Sequence, residues 1–130
     1  MPTGAHPPRP TDAELEILTV LWSTGPATVR QVYELISRRR PAQYATILKF
    51  MQIMADKGLL VRDEEQRAHV YKAARPREWT QQQLAGHLLD RAFSGSAKAL
   101  LVGALSAKKA TKSELAELRK LVDEYAKGAK

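Results

Sequence analysis

Four times along the chain, a threonine stands three residues ahead of a Glu or Gln and shortly before apolar residues at helical spacing. The matches are Thr11-Asp12-Ala13-Glu14, Thr28-Val29-Arg30-Gln31, Thr80-Gln81-Gln82-Gln83 and Thr111-Lys112-Ser113-Glu114. In such a box the hydroxyl accepts from an amide one turn on, while the acid or amide side chain reaches back to the threonine backbone. The recurrence predicts a mainly helical chain and marks where its helices begin.

The first helix is expected from about Asp12 to Ser23, burying Leu15, Leu18, Leu21 and Trp22 and ending at Gly25-Pro26. The second carries Val29, Val32, Tyr33 and Ile36 on one stripe. It closes on Arg38-Arg39-Arg40, cations that suit the negative end of a helix dipole. Pro41 breaks the chain, and a third helix runs to about Lys57 with the stripe Tyr44, Ile47, Met51 and Met54, Phe50 beside it and Gly58 as its stop. Leu59-Leu60-Val61-Arg62 and Arg67-Ala68-His69-Val70-Tyr71-Lys72 flank a charged turn at Asp63-Glu64-Glu65-Gln66, the pattern of a hairpin. After Pro76, helices are expected from about Gln81 to Phe93, Ala97 to Leu105 and Lys112 to Tyr125, with a break at Ser94-Gly95.

The opening MPTGAHPPRP reads as a flexible arm over residues 1–10 and lacks the charged-then-apolar order of a secretory signal. No run reaches the roughly 18 apolar residues of a membrane helix, so no membrane insertion is expected. Apolar residues make up 44%, enough for a packed core, and there is no cysteine, which removes disulfides, thiolate metal sites and cysteine nucleophiles together. The histidines (His6, His69, His87) are scattered. Paired acids such as Glu64-Glu65 fall on a turn, and no Ser/His/Asp or metal-ligand spacing stands out. No catalytic residue, metal or cofactor is therefore expected. Lys plus Arg is 21 against 14 acids, a net +7, which favours a polyanionic partner. The bases are dispersed through folded elements, so any nucleic-acid surface must be assembled by the fold.

Three helices followed by a two-stranded hairpin is the order of a winged helix-turn-helix over residues 11–76, leaving residues 77–130 as a helical region. An α-helix fits the major groove, and side chains opposite its core stripe can reach base edges. On the third helix that face and its flanks hold Ala45, Thr46, Leu48, Lys49, Gln52 and Ile53, with Gln43 and Tyr44 at the start. Gln52 suits adenine, Lys49 guanine or a phosphate, and Thr46 a phosphate, while Ala45, Leu48 and Ile53 suit a thymine methyl. Arg38-Arg39-Arg40 either clamps a phosphate through Arg40 or caps the second helix, and both can hold. Arg67 is the phosphate candidate of the hairpin, where Asp63, Glu64 and Glu65 argue against deep minor-groove entry.

A lone winged helix reads only a few base pairs, and two copies on a two-fold axis double the contacts and demand a palindrome. The C-terminal helices are too thin for a core of their own. Their apolar residues, Leu84, Leu88, Leu100, Leu101, Leu105, Leu115, Leu118, Val122 and Tyr125, are expected to meet a second copy. The other readings are a winged-helix module that binds protein and a ligand-sensing winged-helix regulator.

The stretch Tyr44-Ala45-Thr46-Ile47-Leu48-Lys49-Phe50-Met51-Gln52-Ile53-Met54-Ala55-Asp56-Lys57-Gly58-Leu59-Leu60 resembles the third helix and strand entry of the penicillinase-repressor (BlaI/MecI/CopY) family. The start Thr11-Asp12-Ala13-Glu14-Leu15-Glu16-Ile17-Leu18 with Trp22, the wing ending His69-Val70-Tyr71, and Glu114-Leu115-Ala116-Glu117-Leu118 after the Ser94-Gly95 break extend the likeness over about residues 11–126. The resemblance implies a cytoplasmic bacterial homodimer that binds double-stranded DNA at a palindromic operator and represses the genes beside it. It also implies relief of repression by a sensor protease that cuts the dimerisation region. The chain departs from the family pattern in three places. It has no C-terminal cysteine cluster for copper, it has Gly103-Ala104 where an Asn-aromatic scissile bond is expected, and it has Ile53 where relatives often carry arginine.

Overall fold

The computed structural model describes residues 9–65 and 67–129. The expected arm, apart from Arg9 and Pro10, lies outside these residues, as does Gln66 of the expected turn. Along the chain come α1 (Asp12–Thr24), β1 (Ala27–Thr28), α2 (Val29–Ser37), α3 (Tyr44–Asp56), β2 (Leu60–Asp63), β3 (Val70–Ala73), α4 (Arg77–Ala92), α5 (Ala97–Ala107) and α6 (Lys112–Gly128). The chain divides into one compact unit that ends at Leu84 and a second that begins at Ala85.

Local chemistry sets the helix ends. Thr11 Oγ1 accepts from the Glu14 amide at 3.2 Å while the Thr11 amide donates to Glu14 Oε1 at 2.9 Å, closing the box at α1. Thr28 and Gln31 make the same reciprocal pair at α2, at 3.1 and 2.8 Å. Gly25, at φ 84°, ends α1 by donating its N–H to the Leu21 carbonyl at 2.8 Å. At the end of α3, Gly58 takes φ 86° and the Leu59 amide reaches back to the Met54 carbonyl at 2.9 Å. Only a residue without Cβ takes that left-handed turn cheaply.

The core of the first unit is a single cluster. Ile17, Val32, Ile36, Ile47, Met51, Met54 and Tyr71 are each at most 2% exposed. On α1 the buried stripe is wider than the sequence suggests: Ile17 and Val20 join Leu18 and Leu21 inside, while Leu15 and Trp22 pack at its margin. Trp22 earns that margin by donating Nε1 to the Arg75 carbonyl at 3.0 Å.

Four expectations need correction. The hairpin is part of a three-stranded antiparallel sheet of order β1-β3-β2, in which Ala27 pairs with Tyr71 and Thr28 with Val70. A two-residue strand that ends on a helix N-cap has no periodicity to betray it. Tyr44, expected in the core stripe of α3, is 39% exposed: it is the first residue of the helix, and the buried stripe begins one turn on, at Ile47. α4 starts four residues before the expected Gln81, directly after Pro76, whose carbonyl accepts from the Thr80 amide at 3.3 Å. Pro76 stands just before the first helical residue and its carbonyl takes the first bond of the helix, so Thr80 is an interior, buried residue of α4 and not its cap. Finally, α2 ends at Ser37, and Arg38-Arg39-Arg40 forms the turn beyond it.

In the second unit, Ser94 and Gly95 both take positive φ, and the Gly95 amide bonds the Leu89 carbonyl at 2.7 Å, ending α4. Ser96 caps α5 through the Ala99 amide at 3.0 Å, and Thr111 caps α6 through Glu114 at 3.0 Å. Neither α5 nor α6 holds a buried residue. Among the described residues no helix is long and apolar enough to cross a membrane.

Candidate nucleic-acid interface

With Ile47, Met51 and Met54 inside, helical geometry turns the opposite face of α3 to solvent. Ala45, Thr46, Lys49, Gln52, Ile53 and Asp56 are exposed, and Leu48 is half-buried. Gln43 is the N-cap residue in extended conformation, exposed, with no side-chain cap hydrogen bond. Lys49 has no carboxylate partner among the described residues.

Two carboxylates of α1 hold the chain on either side of this helix. Glu16 takes the Arg40 guanidinium, whose Nε lies 3.1 Å from both carboxylate oxygens, just before α3. Arg39 adds a weaker approach at 3.7 Å. Glu14, 3% exposed, takes the Lys57 ammonium at 2.8 and 3.0 Å, just after α3. Burial would raise the Glu14 carboxyl, but the hydrogen bond and charge of Lys57, with Thr11, outweigh it and hold the carboxyl below its ordinary range. Glu16 is lowered too, first by its hydrogen bond to Arg40. Arg40 thus has all three of its nitrogens engaged, Nε and Nη2 by Glu16 and Nη1 by the Pro41 carbonyl at 3.0 Å.

A groove of about 490 Å³ opens between the start of α2, the start of α3 and the wing. Thr28, Val29, Arg30, Gln31, Tyr44, Arg67, Ala68, His69 and Tyr71 line it. It brings the sequence-expected Tyr44 and Arg67 together and adds Arg30, which sequence reasoning missed. A signal for Arg30 exists. A cation in the first turn of a helix opposes the macrodipole, at a cost of about 0.3–1 kcal/mol, so its presence there asks for another reason. Beyond β2 the wing turns acidic: Glu64 pairs with Arg62 at 2.6 Å, and Asp63 Oδ1 accepts from the Glu65 amide at 2.9 Å.

The apolar residues expected at a dimer contact all lie on the second unit or its border. Leu84, Leu100 and Leu118 are half-buried, while Leu88, Leu101, Leu105, Leu115, Val122 and Tyr125 are exposed, Tyr125 at 74%. Gly103 packs against Phe93, whose Cε1 lies 3.4 Å from where a Cβ would stand. Among the described residues no group of three His, Cys, Asp or Glu side chains is placed to hold a metal ion.

A family model described as penicillinase repressor matches residues 10–124. The chain belongs to that family. Within the penicillinase repressors, it is 38% identical over 96 residues to the transcriptional regulator BlaI of Mycobacterium tuberculosis, in both strains CDC 1551 / Oshkosh and ATCC 25618 / H37Rv. The match covers 70% of this chain and 67% of the relative. Its fold is also similar to the solution structure of the DNA-binding domain of the repressor BlaI, at 26% identity and a TM-score of 0.50, over 55% of this chain and 88% of that one. The helices and three-stranded sheet of the first unit are accordingly a winged helix, as the order of elements in the sequence suggests.

Proposed function

We propose that the protein represses transcription by binding a dyad-symmetric operator as a homodimer, with α3 of each copy in the major groove. Its family makes it a DNA-binding transcriptional repressor and not an enzyme. The observation that carries the groove-reading assignment is the exposed face of α3: Lys49 and Gln52 stand opposite a fully buried stripe on a helix pinned before and after by α1. An isolated polar helix face needs no such anchoring. A helix that must present donors to base edges does, because a base contact depends on placement within hydrogen-bond range.

Dimerisation rests on the second unit. Leu101, Leu105, Leu115, Val122 and Tyr125 present apolar surface that α5 and α6 do not bury. A second copy covers like with like across a two-fold axis, and that axis imposes the dyad on the operator. The protein works in the cytoplasm, beside the DNA it reads. Control by a sensor protease at Gly103-Ala104 meets that bond inside α5, so cleavage there requires the helix to unwind first.

The test is recovery and sequencing of genomic fragments retained by the protein. The expected result is a recurrent inverted repeat whose half-sites lie about one helical turn, or a multiple of it, apart. Fragments sharing no dyad, or no retention of DNA, would contradict the proposal.

A further inference from the structure

We propose that Arg30 is a DNA-phosphate contact of this interface and that Tyr44 is its positioning residue. The inference rests on the DNA-binding reading above and deepens it. The Arg30 guanidinium carbon lies 5.2 Å from the centroid of the Tyr44 ring, over its face. Tyr44 is itself set edge-on against Tyr33, with centroids 5.7 Å apart and planes at 78°. Tyr33 packs on the core, so the stack runs from the core through two rings to a cation at the mouth of the groove.

The chemistry of this stack differs from that of the other arginine flanking α3. Arg40 turns its Nε and one terminal nitrogen to the Glu16 carboxylate and its other terminal nitrogen to the Pro41 carbonyl. A ring face engages the guanidinium through its π surface and leaves the five in-plane N–H donors pointing outward. The contact therefore fixes the direction of Arg30 while keeping both its charge and its donors available. The nearest carboxylate, Glu34, approaches only to 4.0 Å, with both side chains more than half exposed, and such a pair is largely screened by water. Arg67 faces the same groove from the wing. Two cations lining one groove suit neighbouring phosphates of a DNA backbone, and a phosphate contact carries no sequence information, so the assignment leaves base reading to the exposed face of α3.

The test is a series of affinity measurements on one duplex over a range of salt, with wild type, Arg30→Ala, Tyr44→Leu, Tyr44→Phe and the Arg30→Ala/Tyr44→Leu double variant. Each phosphate contact contributes a slope of about 0.9 in log affinity against log salt. Arg30→Ala is expected to lose about that much. Tyr44→Leu removes no charge but keeps apolar bulk, and is expected to lose a large part of the same slope. Tyr44→Phe keeps the ring and the wild-type slope, and the double variant is no flatter than Arg30→Ala alone. A slope in Arg30→Ala equal to wild type overturns the phosphate contact. A full slope in Tyr44→Leu, or a double variant in which the losses add, overturns the positioning role. Wild type that fails to bind DNA overturns the functional reading and this inference together. Wild type that binds while both single variants keep its slope overturns this inference alone.

Discussion

Lys57 donates its ammonium to both carboxylate oxygens of Glu14, at 2.8 and 3.0 Å, joining the residue after α3 to the first turn of α1. Glu14 does this while its Oε1 also accepts the Thr11 amide at 2.9 Å. One buried carboxylate therefore caps the first helix and ties down the end of the third. With Glu16 holding Arg40, α1 fixes α3 through two side chains that are two residues apart.

The first prediction follows from that pair. Glu14 has a folded pKa below its ordinary 4.5, so its contribution is fully present above the unfolded value and is lost as pH falls through the folded pKa. Glu14→Gln is expected to destabilise the protein at neutral pH by roughly 1–3 kcal/mol, towards the low end because Lys57 keeps some access to water. The gap between variant and wild type should narrow as pH drops below about 4.5. Urea unfolding of both proteins at neutral and acid pH measures it. A constant gap across that range contradicts the role of the charge.

A second prediction separates binding from stability on α3. Lys49→Ala and Gln52→Ala sit on an exposed face, where substitutions usually cost under about 0.5 kcal/mol of stability. Each lost base contact should nevertheless cost roughly 1–3 kcal/mol of operator binding. Thermal melts beside operator titrations decide it, and wild-type affinity in both variants would show that this face does not meet the groove.

The two arginines singled out from sequence should behave differently. Arg67 lines the groove without an ion-pair partner among the described residues, whereas Arg40 is occupied by Glu16. Arg67→Ala is expected to reduce the salt dependence of binding by about one phosphate contact, and Arg40→Ala to change it little. The reverse order would mean that Arg40 leaves Glu16 when DNA arrives.

The last variant addresses assembly. Leu118→Asp places a charge among the apolar residues of α6, where an unpaired buried ion is strongly disfavoured if a second copy covers it. Sedimentation should show a monomer, while the winged helix keeps its fold and weak non-specific affinity. Full-operator binding should collapse towards half-site strength, because the linkage between half-sites is gone. A Leu118→Asp protein that sediments as wild type places the dimer contact elsewhere.

Much of this architecture is written locally. Thr11, Thr28 and Thr111 mark helix starts through hydrogen bonds made within four residues, and the Ile47, Met51, Met54 stripe states which side of α3 faces the core. What escaped is what depends on distant residues. β1 exists because Ala27 and Thr28 lie beside β3, not because of any pattern of their own. Thr80 matched a cap motif, but Pro76 had already started the helix. The Glu16–Arg40 and Glu14–Lys57 pairs span 24 and 43 residues, and no short-range spacing announces them. Arg30 left one local sign, a cation in the first turn of α2, but its meaning comes from a ring on the following helix, that of Tyr44.

The central claim is that two copies of this chain read one dyad through α3. Titration of a selected operator duplex, with stoichiometry and affinity followed from low to moderate salt, tests it most directly. The account predicts two chains per duplex, a steep loss of affinity with salt, and much weaker binding to a duplex with one half-site scrambled. One chain per duplex, a flat salt response, or equal affinity for the scrambled duplex would contradict it.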